Sequence, residues 1–204
     1  MQYLANNFGA GVRVENSSGT TIADENTIGS LAGNYGAGVL LLNAVNSIVY
    51  PGDVSYNGGP GIAVVGAGAV HNRITPLHVG FNAGLPIDLG DDGFTPNGAH
   101  SGPGPNNWIR YPQITSFAGH VVTGTACAAC TVYVYQTIAN PIVSAGGDWK
   151  YLLQTVANGA GLWSATLPVT LTASNVQMVA ADDSGNSSEM SGAPRPLYLP
   201  LIRR

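Results

Sequence analysis

Charge is what this sequence has least of. Of its 204 residues only 9% are Asp, Glu, Lys or Arg, the net charge is −4, and Lys150 is the single lysine. Long exposed helices need charge to stay soluble, so a chain this poor in it, with 28 Gly and 13 Pro, reads as turns and strands. No basic surface is available to neutralise a phosphate backbone, which argues against nucleic acid as a partner. No run approaches the roughly 18 apolar residues of a membrane-spanning helix. Met1-Gln2-Tyr3-Leu4 is no signal peptide, so a secreted parent would carry its signal upstream of this chain.

What the chain does have is a phrase that recurs. Asn7-Phe8-Gly9-Ala10-Gly11-Val12, Asn34-Tyr35-Gly36-Ala37-Gly38-Val39, Asn57-Gly58-Gly59-Pro60-Gly61-Ile62 and Asn82-Ala83-Gly84-Leu85-Pro86-Ile87 each read as Asn, a Gly-rich turn and a strand start. The four Asn residues are 27, 23 and 25 positions apart. A period of roughly 20–30 residues marks units that cannot bury their own apolar face and stack on their neighbours. After the first strand (Val12, Val39, Ile62, Ile87) comes a second β-branched position at Ile22, Ile48 and Ile74, and a third at Ile28, Val54 and Val79. Three short strands per unit is the plan of a parallel β-helix, with Val12, Val39, Ile62 and Ile87 expected as one interior column. Asn16 to Ile22 and Asn43 to Ile48 supply the turn between the first two strands, since Asn, Ser and Gly tolerate turn geometry. Leu4 precedes Asn7 as Val54 precedes Asn57, so it belongs to a third strand whose first two are absent. Such an open end is expected to pair with another copy or to cover itself by local rearrangement.

Three groups of polar residues are candidate sites. Stacked Asn7, Asn34, Asn57 and Asn82 read first as a structural ladder of hydrogen-bonded amides, with a sugar-binding strip as the sharper alternative. Asp88, Asp91 and Asp92 offer hard oxygen ligands for Ca²⁺, or serve as turn caps. His71, Arg73 and His78 form the local basic cluster from which a polysaccharide lyase would draw a base and a cation, and alternation along a strand would set His71 and Arg73 on one face. A glycosidase would instead need a carboxylate pair, for which Asp91 and Asp92 with Asp88 are nearest. Neither constellation is complete. No cofactor is required by any of these readings.

From Leu85 the pattern changes, through Ile87–Asn97, to a Gly/Pro/Asn-rich run through Ser101–Asn107 that cannot be strand or helix interior, and it ends the repeats. Beyond Pro112 alternating segments at His120–Thr123, Thr131–Tyr135, Lys150–Leu153, Leu162–Leu167 and Asn175–Ala181 predict a small antiparallel sandwich. Cys127-Ala128-Ala129-Cys130 precedes a strand rather than a helix, and no His pairs with it for zinc. A disulfide closing the turn is the first reading, implying an oxidising compartment, with free thiols the alternative.

Residues 1–93, on the phrases Asn-x-Gly-x-Gly-Val/Ile and Asn-Ser-Ser-Gly-x-Thr-Ile, resemble right-handed parallel β-helix repeats of the pectate-lyase-like superfamily, in the variant of large bacterial secreted and surface proteins. Residues 94–112 fall within a stretch, Gly84 to Pro112, that is similar to the capping linker joining such repeats to an Ig-like module. Residues 113–192, from Val122-Thr123-Gly124-Thr125 through Gly161-Leu162-Trp163 to Asp182-Asp183-Ser184-Gly185-Asn186-Ser187-Ser188-Glu189, resemble bacterial Ig-like repeats. The tail 193–204, with Leu197-Tyr198-Leu199-Pro200-Leu201, is similar to short export or attachment signals; a final edge strand or disordered tail is the plainer reading. Together these imply an extracellular or cell-surface protein with a structural, adhesive or polysaccharide-contacting role. The runner-up is a polysaccharide lyase or glycoside hydrolase.

Overall fold

The computed structural model describes residues 2–23, 26–29, 33–50, 52–75, 78–139 and 147–191, so the tail at 193–204 lies outside the described residues. The protein is all-β. In chain order β1 (Gln2–Leu4) is followed by three sets of three short strands: β2 (Val12–Glu15), β3 (Thr21–Ala23) and β4 (Asn26–Gly29); β5 (Val39–Leu42), β6 (Ile48–Tyr50) and β7 (Asp53–Ser55); β8 (Ile62–Val65), β9 (Arg73–Ile74) and β10 (His78–Gly80). β11 (Ile87–Leu89) begins one more. Each strand pairs in parallel with its counterpart one unit away, giving the orders β11-β8-β5-β2, β3-β6-β9 and β1-β4-β7-β10.

Register follows the side chains that must be buried. Val12, Val39, Ile62 and Ile87 pair in one row, and Val14, Leu41, Val64 and Leu89 in another. Six of these eight are at most 2% exposed, and burying one such side chain contributes roughly 1.5–3 kcal/mol. The second row of strands differs from the sequence reading: Ile22 pairs with Val49 and Val49 with Ile74, while Ile48 pairs with Thr21 and Arg73. Val49 is buried and Ile48 is 43% exposed. Two adjacent β-branched residues look alike in sequence, and a one-residue slip exchanges the faces.

Gly38 and Gly61, the last Gly of the second and third phrases, are required by the close stacking. A Cβ on Gly61 would lie 2.8 Å from Val79 Cγ1 and 3.1 Å from Asn82 Nδ2, so only a residue without one lets the next unit approach.

After the turn at Pro105–Trp108 the pairing becomes antiparallel through β12 (Gln113–Ala118), β13 (Val121–Thr125), β14 (Thr131–Ala139), β15 (Asp148–Val156), β16 (Leu162–Thr166) and β17 (Val176–Ala181). β12-β13-β16 form one sheet. The other, β15-β14-β17, continues the β1-β4-β7-β10 row without a break, because β15 pairs antiparallel with β10. Val122, Val132, Val134, Trp163, Ala165 and Met178 make a core between the two antiparallel sheets. Tyr135, Trp149, Val179 and Met190 belong instead to the core of the parallel repeats. Among the described residues no helix is long and apolar enough to cross a membrane.

Candidate ligand-binding cleft

The repeated Asn side chains sit in the turn before each first strand, and their amides bond along the stack. Nδ2 of Asn7, Asn34 and Asn57 donates to Oδ1 of the next Asn at 2.8, 2.8 and 2.9 Å. The other amide hydrogen of Asn34 and Asn57 goes to the carbonyl of Leu4 and Ser55, and Asn82 Nδ2 donates to that of Val54. Asn34, Asn57 and Asn82 are buried, so these groups are spent inside the protein. A second ladder, absent from the sequence reading, runs through Asn72 and Asn106. Asn72 Oδ1 accepts from Ser47 N, and Asn106 Oδ1 accepts from Asn72 N, both at 3.0 Å.

The basic cluster is divided. The His71 backbone N donates to Asn186 Oδ1, its Nδ1 lies 3.0 Å from the Ser184 carbonyl, and Arg73 Nη2 donates to the Asp182 carbonyl. Both residues are therefore committed to the turn after β17. His78 lies elsewhere, with Nδ1 2.5 Å from Asp53 Oδ1 and Nε2 2.5 Å from Asp148 Oδ1. The hydrogen bond to Asp53, with that to Asp148, raises the imidazole above its usual value against the lowering effect of burial. Both nitrogens can donate only in the imidazolium form, so this is an ionic staple from β7 through β10 to β15.

Asp88 is held by the turn that follows it. Its Oδ1 and Oδ2 accept from the backbone N of Asp92 and Gly93 at 3.2 and 3.1 Å. Burial pushes its carboxyl up to about 6, and burial followed by the Asp92 charge raises Asp91. Among the described residues no three His, Cys, Asp or Glu side chains are grouped to hold a metal. Cys127 and Cys130 are joined as a disulfide, with Cα atoms 5.4 Å apart, in the turn between β13 and β14.

A cleft of about 240 Å³ opens where the two kinds of sheet meet, lined by Thr95, Asn97, His100, Trp108, Arg110, Tyr111 and Glu189 among others. Its wall is built by a strained turn. Asn106, Asn107 and Trp108 have φ of 44°, 54° and 50°, three successive left-handed residues. That geometry is tolerable for Asn but costs roughly 1–2 kcal/mol at a residue such as Trp108. Asn106 holds it in place: it is fully buried, and its Nδ2 donates to the carbonyls of Asn72 and Ser187 at 2.8 and 2.9 Å. The strain sets the Trp108 indole against Gly104 and stacks it on His100, with ring centroids 4.0 Å apart. Opposite, Asn97 clamps the Tyr111 backbone, donating to its carbonyl at 2.9 Å and accepting from its N at 3.0 Å. Tyr111 in turn packs on Phe94.

Glu189 reaches the cleft from the far end of the chain. Its Oε1 and Oε2 accept from the backbone N of Leu89 and Thr95 at 3.2 and 3.0 Å, and burial pushes its carboxyl up to about 7. Two further aromatic pairs stand on the surface beside the Asn ladder, Phe8 on Tyr35 and Tyr56 on Phe81. The sequence marks Trp108 and Tyr111 only as part of a linker; nothing local signals that Glu189 joins them. Compared with models of known protein families and with curated proteins, the chain matches none.

Proposed function

We propose that the chain joins right-handed parallel β-helix coils of the pectate-lyase-like kind to an Ig-like sandwich, and that it acts outside the bacterial cell as a non-catalytic, glycan-contacting module. The observation that carries this reading is the cleft at the junction, where backbone strain at Trp108 is tolerated to hold its indole, stacked on His100, in a wall that also carries Arg110, Tyr111 and polar groups. Sugar rings offer flat C–H faces to aromatic rings and hydroxyls to amides and carboxylates. The surface pairs Phe8–Tyr35 and Tyr56–Phe81 add exposed ring area of the same kind. A disulfide fits an oxidising, extracellular setting.

The runner-up, a lyase or glycoside hydrolase, draws on Glu189, whose raised carboxyl lies in the cleft. Against it, both Glu189 oxygens are occupied by backbone N–H groups that fix the loop at Thr95. Calcium plays no part in the proposal. A glycan array followed by calorimetry on the hits tests it: binding that falls when Trp108 becomes Ala, with no new reducing ends or unsaturated products, is the expected result. Turnover of any bound polysaccharide overturns the non-catalytic reading.

A further inference from the structure

Resting on that reading, we infer that the cleft is one half of a longer groove for an extended oligosaccharide, and that Arg110 reads a carboxylate or sulfate on one of its units. A second depression, about 310 Å³, is lined by Asn97, Arg110, Tyr111, Gln113, Thr125, Ala126 and Cys127. It shares Asn97, Arg110 and Tyr111 with the first, so those three residues form a saddle between two hollows. Each hollow is at or below the low end of the roughly 300–1,000 Å³ typical of pockets that enclose a compact ligand. A chain that crosses the saddle fits this shape better than a single compact molecule.

Arg110 is exposed and, among the described residues, has no hydrogen bond or ion pair. The other described arginines are committed, Arg13 to Glu15 and Arg73 to the Asp182 carbonyl. A guanidinium presents a planar fork of donors that matches a carboxylate or sulfate in two parallel hydrogen bonds. The saddle beneath it is rigid, because Asn97 is bonded twice to the Tyr111 backbone. The other charged or titratable residues lining the groove are His100, Tyr111 and Glu189. Glu189 has both oxygens turned to backbone donors, and burial pushes its carboxyl up to about 7. Sugar is favoured over an acidic peptide by the walls: Thr95, Gly98, Gly102, Thr125 and Ala126 leave no deep apolar socket for a side chain, whereas aromatic rings line the groove, Trp108 in the first hollow and Tyr111 in both.

The test is calorimetry of the whole chain with four probes: a uronic-acid hexasaccharide, the same chain with its carboxyls reduced to alcohols, a sulfated hexasaccharide and a hexaglutamate peptide. The uronate or the sulfated chain, whichever carries the matching anion, should bind about tenfold or more tighter than the reduced chain, the scale of a hydrogen bond to a charged group. Arg110→Gln should erase that difference with no change in melting temperature, Arg110→Lys should recover part of it, and added salt should shrink it. Ala126→Tyr, which fills the second hollow, should weaken the hexasaccharide but not a trisaccharide. Equal binding of the acidic and reduced chains, with Arg110→Gln silent, overturns this inference and leaves the glycan reading standing. Tighter binding of hexaglutamate overturns it in favour of a peptide partner. Failure of every saccharide to bind removes the glycan reading itself.

Discussion

In the first half of the molecule a unit such as the one from Asn34 to Tyr56 passes its unpaired groups to the next unit: Asn34 donates to Asn57, Leu41 lies on Val64, β5 bonds to β8. In the second half there is no next unit, and β14 gains its partners from β15 and β17 by chain reversal. The first arrangement propagates but cannot close itself, since its last unit always has unpaired edges. The second closes, and it is used here to close the first. β15 extends the row that ends in β10. Ser187 Oγ accepts from Ile74 N, and Asn186 Oδ1 from His71 N, at the end of the β3-β6-β9 row. Glu189 Oε1 accepts from Leu89 N on β11, the end of the remaining row. All three parallel rows thus finish on residues from beyond 147, and the cleft is the seam this creates.

The largest effect should come from the interior of the repeats. Val39→Asp places a charge in a column with 0% exposure at Val39 and Ile62, at a cost of at least about 4 kcal/mol, enough to unfold the chain in a urea titration. Next is a matched pair. Asn57→Ala removes a ladder amide within the repeats, and Asn106→Ala removes the amide that ends the second ladder. Each leaves buried groups unpaired and should cost about 2–4 kcal/mol. If the closing segment were dispensable, Asn106→Ala would be much the milder of the two.

Protonation sharpens the contrast further. Asp88, Glu189 and His78 all have folded-state values raised above their usual ones. The folded protein therefore binds more protons than the unfolded chain, and its stability falls as pH rises. For Asp88 the loss runs from about 3.8 to about 6, and for Glu189 from 4.5 to about 7. The His78 contribution is complete below 6.5 and is lost as pH climbs through the raised value. Denaturation midpoints should thus decline from pH 4 to about 7 and fall further as His78 loses its proton. Glu189→Gln should flatten the lower part of the curve and His78→Asn only the upper. The smallest effect is expected at the disulfide: a loop this short restrains the unfolded chain by about 2 kcal/mol or less, so reduction should lower the melting temperature by only a few degrees.

How much of this was legible follows from which contacts repeat. The phrase beginning at Asn7, Asn34, Asn57 and Asn82 marks where the units begin, because the same backbone geometry recurs and demands the same Asn and Gly each time. The choice between Ile48 and Val49 was not legible, since both satisfy the same local preference and only packing separates them. Nor were Asn106, Asn186 and Glu189 as closing residues: each acts once, at separations of 34, 115 and 100 residues from its partner, with no second instance to reveal a pattern. The pairing of β10 with β15 rests on backbone groups that every residue carries. β12 carries little signal of its own, because its largely exposed side chains alternate weakly. The cleft inherits these gaps, since its walls come from three distant segments.

Native-state hydrogen exchange tests most directly whether the antiparallel half closes the parallel one. The amides of His71, Ile74 and Leu89, which bond to Asn186, Ser187 and Glu189, should open with the same free energy as those of β14 and β15, as one cooperative unit. If β14 and β15 open at lower denaturant while those three amides keep their protection, the two halves are independent and the closure account is wrong.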